Sequence, residues 1–206
     1  MLSIGPYEQD EDLIAAVRAG ARMRVRVARP DAPAVVLGRS GDPETELDVG
    51  EIRRDRVPVL RRRGGGCAVL LDPGNLVIAV VLPVSGLAGI HAHFRAMARW
   101  MGGTLKELGV SGVEQRGVSD LALGGRKIGG SCIFRAKGLL YYSTTLLVAP
   151  DIVRMERYLR HPPREPDYRR GRPHREFVTA LAEPPWRLET DRLKASLARR
   201  LTPESW

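Results

Sequence analysis

Leu13, Ile14, Val17 and Ala21 recur at helical spacing, so residues 11–22 are predicted to form an amphipathic helix. Residues 23–28 then alternate arginine with apolar side chains, the period of a half-exposed strand. Ala34–Leu37 is a short apolar run stopped by Gly38, and residues 57–60 form a second one. Beyond the basic, glycine-rich stretch 61–67, residues 68–71 stay extended. Asp72-Pro73-Gly74-Asn75 has turn chemistry and residues 76–82 are an apolar strand, so a β-hairpin is expected here.

Residues 87–108 contain a helix whose apolar face is Ile90, Phe94, Met97 and Met101. Gly102-Gly103 should interrupt it, and Gly109 is a fitting C-terminal stop. Strands at 120–123, 127–134 and 139–148 follow, separated by Gly124-Gly125 and by residues 136–138, turns too short for crossover helices. Residues 151–159 read as a short helix, 162–175 as a long basic loop, and 176–181 and 191–201 as helical. The prediction is an α+β fold, a mostly antiparallel or mixed β-sheet with helices packed against it. No repeat or linker divides the chain, so residues 1–206 are expected to be one domain.

Composition narrows the function classes. Hydrophobic residues make up 43% and charged residues 28%, which fits a globular chain and excludes a disordered one. No apolar run approaches the ~20 residues of a membrane span, and the acidic first dozen residues do not suit a signal peptide. Cys67 and Cys132 are too few for a disulfide framework, so a reduced, cytoplasmic setting is expected. The formal net charge of +9 suits nucleic acid, an acidic protein or an anionic small molecule. Aromatic residues at 5% leave little for base stacking, which disfavours nucleic acid. His91, His93, His161 and His174 form no metal or triad pattern.

Two segments carry chemistry. In Arg61-Arg62-Arg63-Gly64-Gly65-Gly66-Cys67, three glycines let the main chain approach a ligand, and guanidinium forks beside them could cradle a phosphate or carboxylate. The competing reading is a flexible connection with solvated arginines. In Gly124-Gly125-Arg126-Lys127-Ile128-Gly129-Gly130-Ser131-Cys132, Lys127 sits in an apolar strand pattern among glycines, placed to neutralise charge on a reacting acyl phosphate.

In this order, with a helix between them, these segments resemble the lipoate–protein ligase family, within the superfamily of biotin ligases and octanoyltransferases. The likeness rests on Arg61-Arg62, the glycine run to Cys67, the apolar stretch 68–71, Asp72 and Gly74-Asn75. It continues through Ser119-Asp120-Leu121, Gly125-Arg126-Lys127-Ile128 and Thr145-Leu146-Leu147, spanning residues 11–181. The resemblance implies that ATP and lipoate or octanoate form an acyl-adenylate, which a lysine of an acidic lipoyl-domain protein then attacks. Lys127 would bridge the acyl carbonyl and the adenylate phosphate. Arg62, Gly65, Gly66 and Cys67 would line the acyl and phosphate channel. Asn75 and Asp120 would hold the phosphate, Mg²⁺ and amine end, with Asp120 the metal ligand. Val69, Gly130, Ser131, Cys132 and Thr145 complete the implied binding set.

The chain departs from the family pattern at several places. Cys67 stands at the third glycine, Leu71 and Ser143 where histidines are usual, and Cys132 in place of alanine. The C-terminal accessory domain of many bacterial ligases is expected to be absent, which leaves two alternatives: a separate partner protein supplies it, or the chain performs only one half-reaction. The cysteines admit an octanoyl or lipoyl transferase acting through a thioester. Regular alternation, however, points Lys127 and Cys132 to opposite faces unless a glycine bulge intervenes. A non-catalytic protein that binds a lipoyl or biotinyl group, or nucleic acid, through its basic surface is the third reading; the loop 160–175 could grip phosphates, but reads better as a solvated cover over the site or a docking surface.

Overall fold

The computed structural model describes residues 2–85 and 89–203. The chain runs β1 (Gly5–Pro6), α1 (Glu11–Arg18), β2 (Arg24–Ala28), β3 (Ala34–Leu37), α2 (Pro43–Glu46), α3 (Val49–Asp55), β4 (Val59–Arg61), β5 (Val69–Leu71) and β6 (Asn75–Pro83). It continues with α4 (Ile90–Glu107), β7 (Glu114–Arg116), β8 (Asp120–Leu123), β9 (Arg126–Ala136), β10 (Leu139–Leu147), α5 (Ile152–Tyr158), α6 (His174–Phe177) and α7 (Thr190–Arg200). The expected α+β class holds, but the strands divide into two sheets. One is antiparallel in the order β2-β6-β10-β9-β8-β7; the other is mixed, β1-β4-β3-β5.

Alternation along β6 and β10 separates two faces of the antiparallel sheet. Leu76, Ile78, Val80, Leu140, Tyr142 and Leu146 join one core cluster with Phe94, Met97, Met101 and Leu105 of α4 and Leu193 and Leu197 of α7. The opposite face, including Val77, Ser143 and Thr145, opens toward the mixed sheet and carries the site. The β8-β9-β10 meander forms as predicted, because Gly124, Gly125, Lys137 and Gly138 all take the positive φ that tight hairpin turns need.

The expected hairpin at 68–82 does not form. β5 pairs with β3 in the mixed sheet, whereas β6 pairs with β2 and β10 in the other. The turn is instead a corner between sheets. Asp72 Oδ1 accepts from Gly74 N–H at 2.6 Å and Oδ2 from Asp151 N–H at 3.0 Å, tying the corner to the start of α5. A Cβ on Gly74 would lie 1.8 Å from the Ala149 carbonyl oxygen, so the residue must be glycine.

Two further expectations are corrected. Gly102-Gly103 do not interrupt α4, whose neighbouring turns are held by Met97, Met101 and Leu105 in the core, and Gly102 lies close to Val113. Gly109, at φ +88°, stands just past the helix end as predicted. Residues 87 and 88 of the predicted helix lie outside the described residues. The helix expected at 176–181 is the single turn α6, after which Val178 bridges Lys127 as an added strand-like contact. Residues 43–55, unassigned from the pattern, form two short helices capped by the Asp42 and Asp48 side chains.

Candidate active site

A cavity of about 820 Å³ lies between the sheets. Its wall includes every residue the sequence nominated except one: Arg62, Gly65, Gly66, Cys67, Val69, Asp120, Lys127, Gly130, Ser131, Cys132 and Thr145 all face it. Asn75 does not line it. Asn75 begins β6 opposite Leu147, fully buried, and neither atom of its side-chain amide has a hydrogen-bond partner.

A bulge in β9 gathers the site. Leu121 opposes Gly129 while Ala122 opposes Lys127, so Ile128 is the extra residue. Ile128 turns into the core, and the parity shift brings Lys127, Gly130 and Cys132 to the cavity face. Lys127 Nζ lies 2.7 Å from Asp120 Oδ1. The ammonium crosses the bare Cα of Gly130, where a Cβ would come within 2.8 Å of Nζ. The backbone of Lys127 is anchored too, its carbonyl accepting from Thr179 N–H at 2.9 Å.

The glycine-rich loop is clamped rather than flexible. Arg62 donates to the carbonyls of Val36, Gly65 and Cys67 at 2.8–3.2 Å, and Arg61 to those of Gly38, Arg39 and Gly41. Gly66 takes φ +93°, and a Cβ on Gly38 would meet its carbonyl oxygen at 1.9 Å. Arg62 therefore holds the loop through the Gly65 and Cys67 carbonyls, while Arg61 ties it to the facing 38–41 segment. Buried Glu46 accepts from Ala68 N–H just after the loop.

Cys132 is buried against Gly64, and burial pushes its thiol pKa up although Arg62 opposes the shift. The thiol form that burial favours is a weaker nucleophile than the thiolate and suits a packing role. Cys67 is half-exposed, its Sγ 3.5 Å from the Arg164 carbonyl.

The basic loop, expected as a cover or a docking surface, contributes site residues that the sequence did not single out. Tyr168 donates to Asp120 Oδ2 at 2.9 Å, so both carboxylate oxygens are engaged, one by an ammonium and one by a phenol. Burial and the adjacent carboxylate raise the Tyr168 pKa, keeping it a donor, and Arg116 lies over its ring at 5.4 Å. Arg169 and His174 also reach the cavity wall. Burial, helped by Arg169, pushes His174 down to about 4, so it is neutral near pH 7. At the other end, Ile14, Leu71, Val77 and Phe94 give an apolar lining. There Tyr141 O–H donates to buried Asp10 at 2.8 Å.

Among the described residues no group of three or more His, Cys, Asp or Glu could cage a metal. Mg²⁺ held with phosphates usually needs only about one or two carboxylates, and Asp120, facing the cavity, fits that limited demand.

The family model of the lipoyl protein ligase A/B catalytic domain matches residues 7–202. A lipoate–protein ligase of Streptococcus pyogenes is 30% identical over 128 residues, 62% of this chain and 37% of that protein. A crystal structure of lipoate-protein ligase A bound with ATP is 25% identical with a TM-score of 0.76, covering 97% of this chain and 81% of that one. A bipartite lipoate protein ligase of Thermoplasma acidophilum, studied with its E2 lipoyl domain, is 24% identical with a TM-score of 0.77 over 96% and 79%. The chain spans roughly a third to a half of the curated relatives' length, from 37% to 51%.

Proposed function

The chain belongs to the lipoyl protein ligase A/B catalytic domain family, and from that premise we propose that it is an ATP-dependent lipoate–protein ligase. The observation that carries this reading is the Lys127–Asp120 pair on the wall of a cavity lined by apolar side chains such as Ile14, Leu71 and Phe94 as well as by arginines. The substrate is a medium-chain acid, lipoate or octanoate, with its tail between Ile14 and Phe94 and its carboxylate toward Lys127.

Activation is an in-line displacement. The carboxylate oxygen bonds to the α-phosphorus of ATP, the bond to the bridging oxygen breaks, and pyrophosphate leaves with the electron pair. Lys127 neutralises the charge building on the α-phosphate and acyl oxygens. Backbone N–H groups of Gly65, Gly66 and Cys67 supply further donors. Asp120 aims the ammonium, and Tyr168 aims Asp120. Mg²⁺, held by Asp120 together with phosphate oxygens, would add charge neutralisation there. In the second step the amine of an acceptor lysine bonds to the acyl carbon, AMP departs, and the nitrogen loses a proton.

The acceptor is an acidic lipoyl-domain protein, which the net charge of +9 favours by steering. A separate accessory protein is a candidate partner, a reading that the bipartite ligase of Thermoplasma acidophilum supports. The cytoplasm is the proposed compartment; among the described residues no helix is long and apolar enough to cross a membrane. Thioester transfer through Cys132 is disfavoured by the burial of that thiol.

The test is acid-dependent pyrophosphate release from Mg-ATP, offering lipoate, octanoate and biotin in turn, with and without a candidate accessory protein. Release with lipoate or octanoate is expected. Silence with both acids under both conditions would sink the ligase reading.

A further inference from the structure

The guanidinium of Arg169 is in an unusual position for a charge. The residue is 4% exposed on the cavity wall, and its Nη2 is buried with no hydrogen-bond partner. Nε donates to the Arg172 carbonyl at 2.9 Å, and the group lies over the Phe177 ring at 4.8 Å. Its nearest carboxylate, Glu165, stands off at 3.6 Å from Nε. That carboxylate is already committed: Oε1 accepts from Gly171 N–H at 3.0 Å, and Oε2 is 2.8 Å from His161 Nε2.

A desolvated cation with an unused donor costs free energy until an anion completes it. Asp120 and Cys67 are close enough to Arg169 to act on its charge, which places it at the Lys127 end of the cavity rather than the Tyr141 end. Arg160 and Arg164 also line the cavity, Arg160 donating to the Glu44 carbonyl at 2.8 Å. The unused donor of Arg169 suits a further anionic group, because a single carboxylate is already served by Lys127. The fork of an arginine also matches phosphate oxygens two at a time.

We propose that Arg169 binds the β,γ-diphosphate end of the nucleotide and holds it as it leaves as pyrophosphate. The proposal rests on the adenylation reading. As the bond from the α-phosphorus to the bridging oxygen breaks, the charge transferred to pyrophosphate is met by the free Nη2 donor.

Isothermal titration of inorganic pyrophosphate into the full chain, at fixed ionic strength, tests this with wild type and R169Q. Losing one charged hydrogen bond predicts binding weaker by about tenfold or more, with lipoate binding unchanged. The KM for ATP should rise in parallel while that for the acid stays put. If R169Q fails to melt cooperatively, R169K takes its place. R169K keeps the charge and stem but not the fork, and should also bind pyrophosphate more weakly than wild type. Equal pyrophosphate binding by the folded variant and wild type would overturn the proposal. So would a parallel loss of lipoate affinity, which would assign Arg169 to the carboxylate, or a wild type that does not bind pyrophosphate. Acid-dependent pyrophosphate release by wild type, measured separately, decides whether the adenylation reading itself stands.

Discussion

Gly129 and Gly130 are adjacent, yet a methyl group on each should do opposite things. On Gly130 the new Cβ would lie 2.8 Å from Lys127 Nζ and 3.0 Å from Cε, with Asp120 Oδ1 at 3.5 Å. The obstacle is the far end of a flexible side chain, so the ammonium retreats and the fold stays. Reaching ordinary contact near 3.4 Å needs a shift of about 0.6 Å, which lengthens the 2.7 Å pair with Asp120 to as much as about 3.3 Å, past its best geometry. Misplacement of a catalytic group by about 1 Å can cost about 100-fold, so G130A should lower kcat by about 10- to 100-fold. On Gly129 the Cβ would meet the Thr145 carbonyl oxygen at 2.6 Å, inside the β9–β10 pairing, where nothing can give. Overpacking of this kind costs about 1–3 kcal/mol, a Tm loss of about 3–10 °C for a chain this size. The assays are thermal melting and steady-state pyrophosphate release for both variants. Wild-type turnover by G130A would refute the claim that Gly130 makes room for the working position of Lys127. A G130A melt as damaged as that of G129A would show that the side chain does not absorb the methyl.

Tyr168→Phe removes the phenol held on Asp120 but keeps the ring under Arg116, so turnover should fall by about tenfold with little change in Tm. An unchanged rate would mean Lys127 alone positions the carboxylate. Cys132→Ala should remain active, and intact mass after exposure to an acyl thioester should show no adduct on Cys132. A stable adduct there would revive the transferase reading. His174 titrates near 4 when folded and near 6.5 when unfolded, so the unfolded chain binds more protons between those values and stability falls as pH drops through that window. Melting at about pH 5 and about pH 7 should differ more for wild type than for H174Q, and equal differences would contradict the burial argument.

Local chemistry made parts of this molecule legible in sequence. The β8-β9-β10 meander was readable because its turns are two-residue, glycine-bearing and independent of distant contacts. The Asp72–Asn75 turn shows the limit. Its residues would suit a hairpin equally well, and the corner is decided by Asp151 and Ala149, which lie far along the chain. Helices α2 and α3 have clear caps at Asp42 and Asp48, but they bury only Glu46 and Ile52, too few positions for a helical period to show. At the site, the motif residues were found because their spacing is local. Tyr168 and Arg169 were missed as site residues because Tyr168 meets Asp120 and Arg169 meets the cavity wall only through the folding back of a loop that Arg172 ties to the Gly125 carbonyl, far from them in sequence. The Ile128 bulge reverses the parity that simple alternation predicts for Lys127 and Cys132.

The central claim is that Lys127 stabilises the transition state of acid activation. Single-turnover release of pyrophosphate from Mg-ATP with lipoate, comparing wild type with Lys127→Ala at matched Tm, tests it most directly. The variant should still bind lipoate in its apolar channel but lose acid-dependent release. A Lys127→Ala enzyme that releases pyrophosphate at the wild-type rate would contradict it.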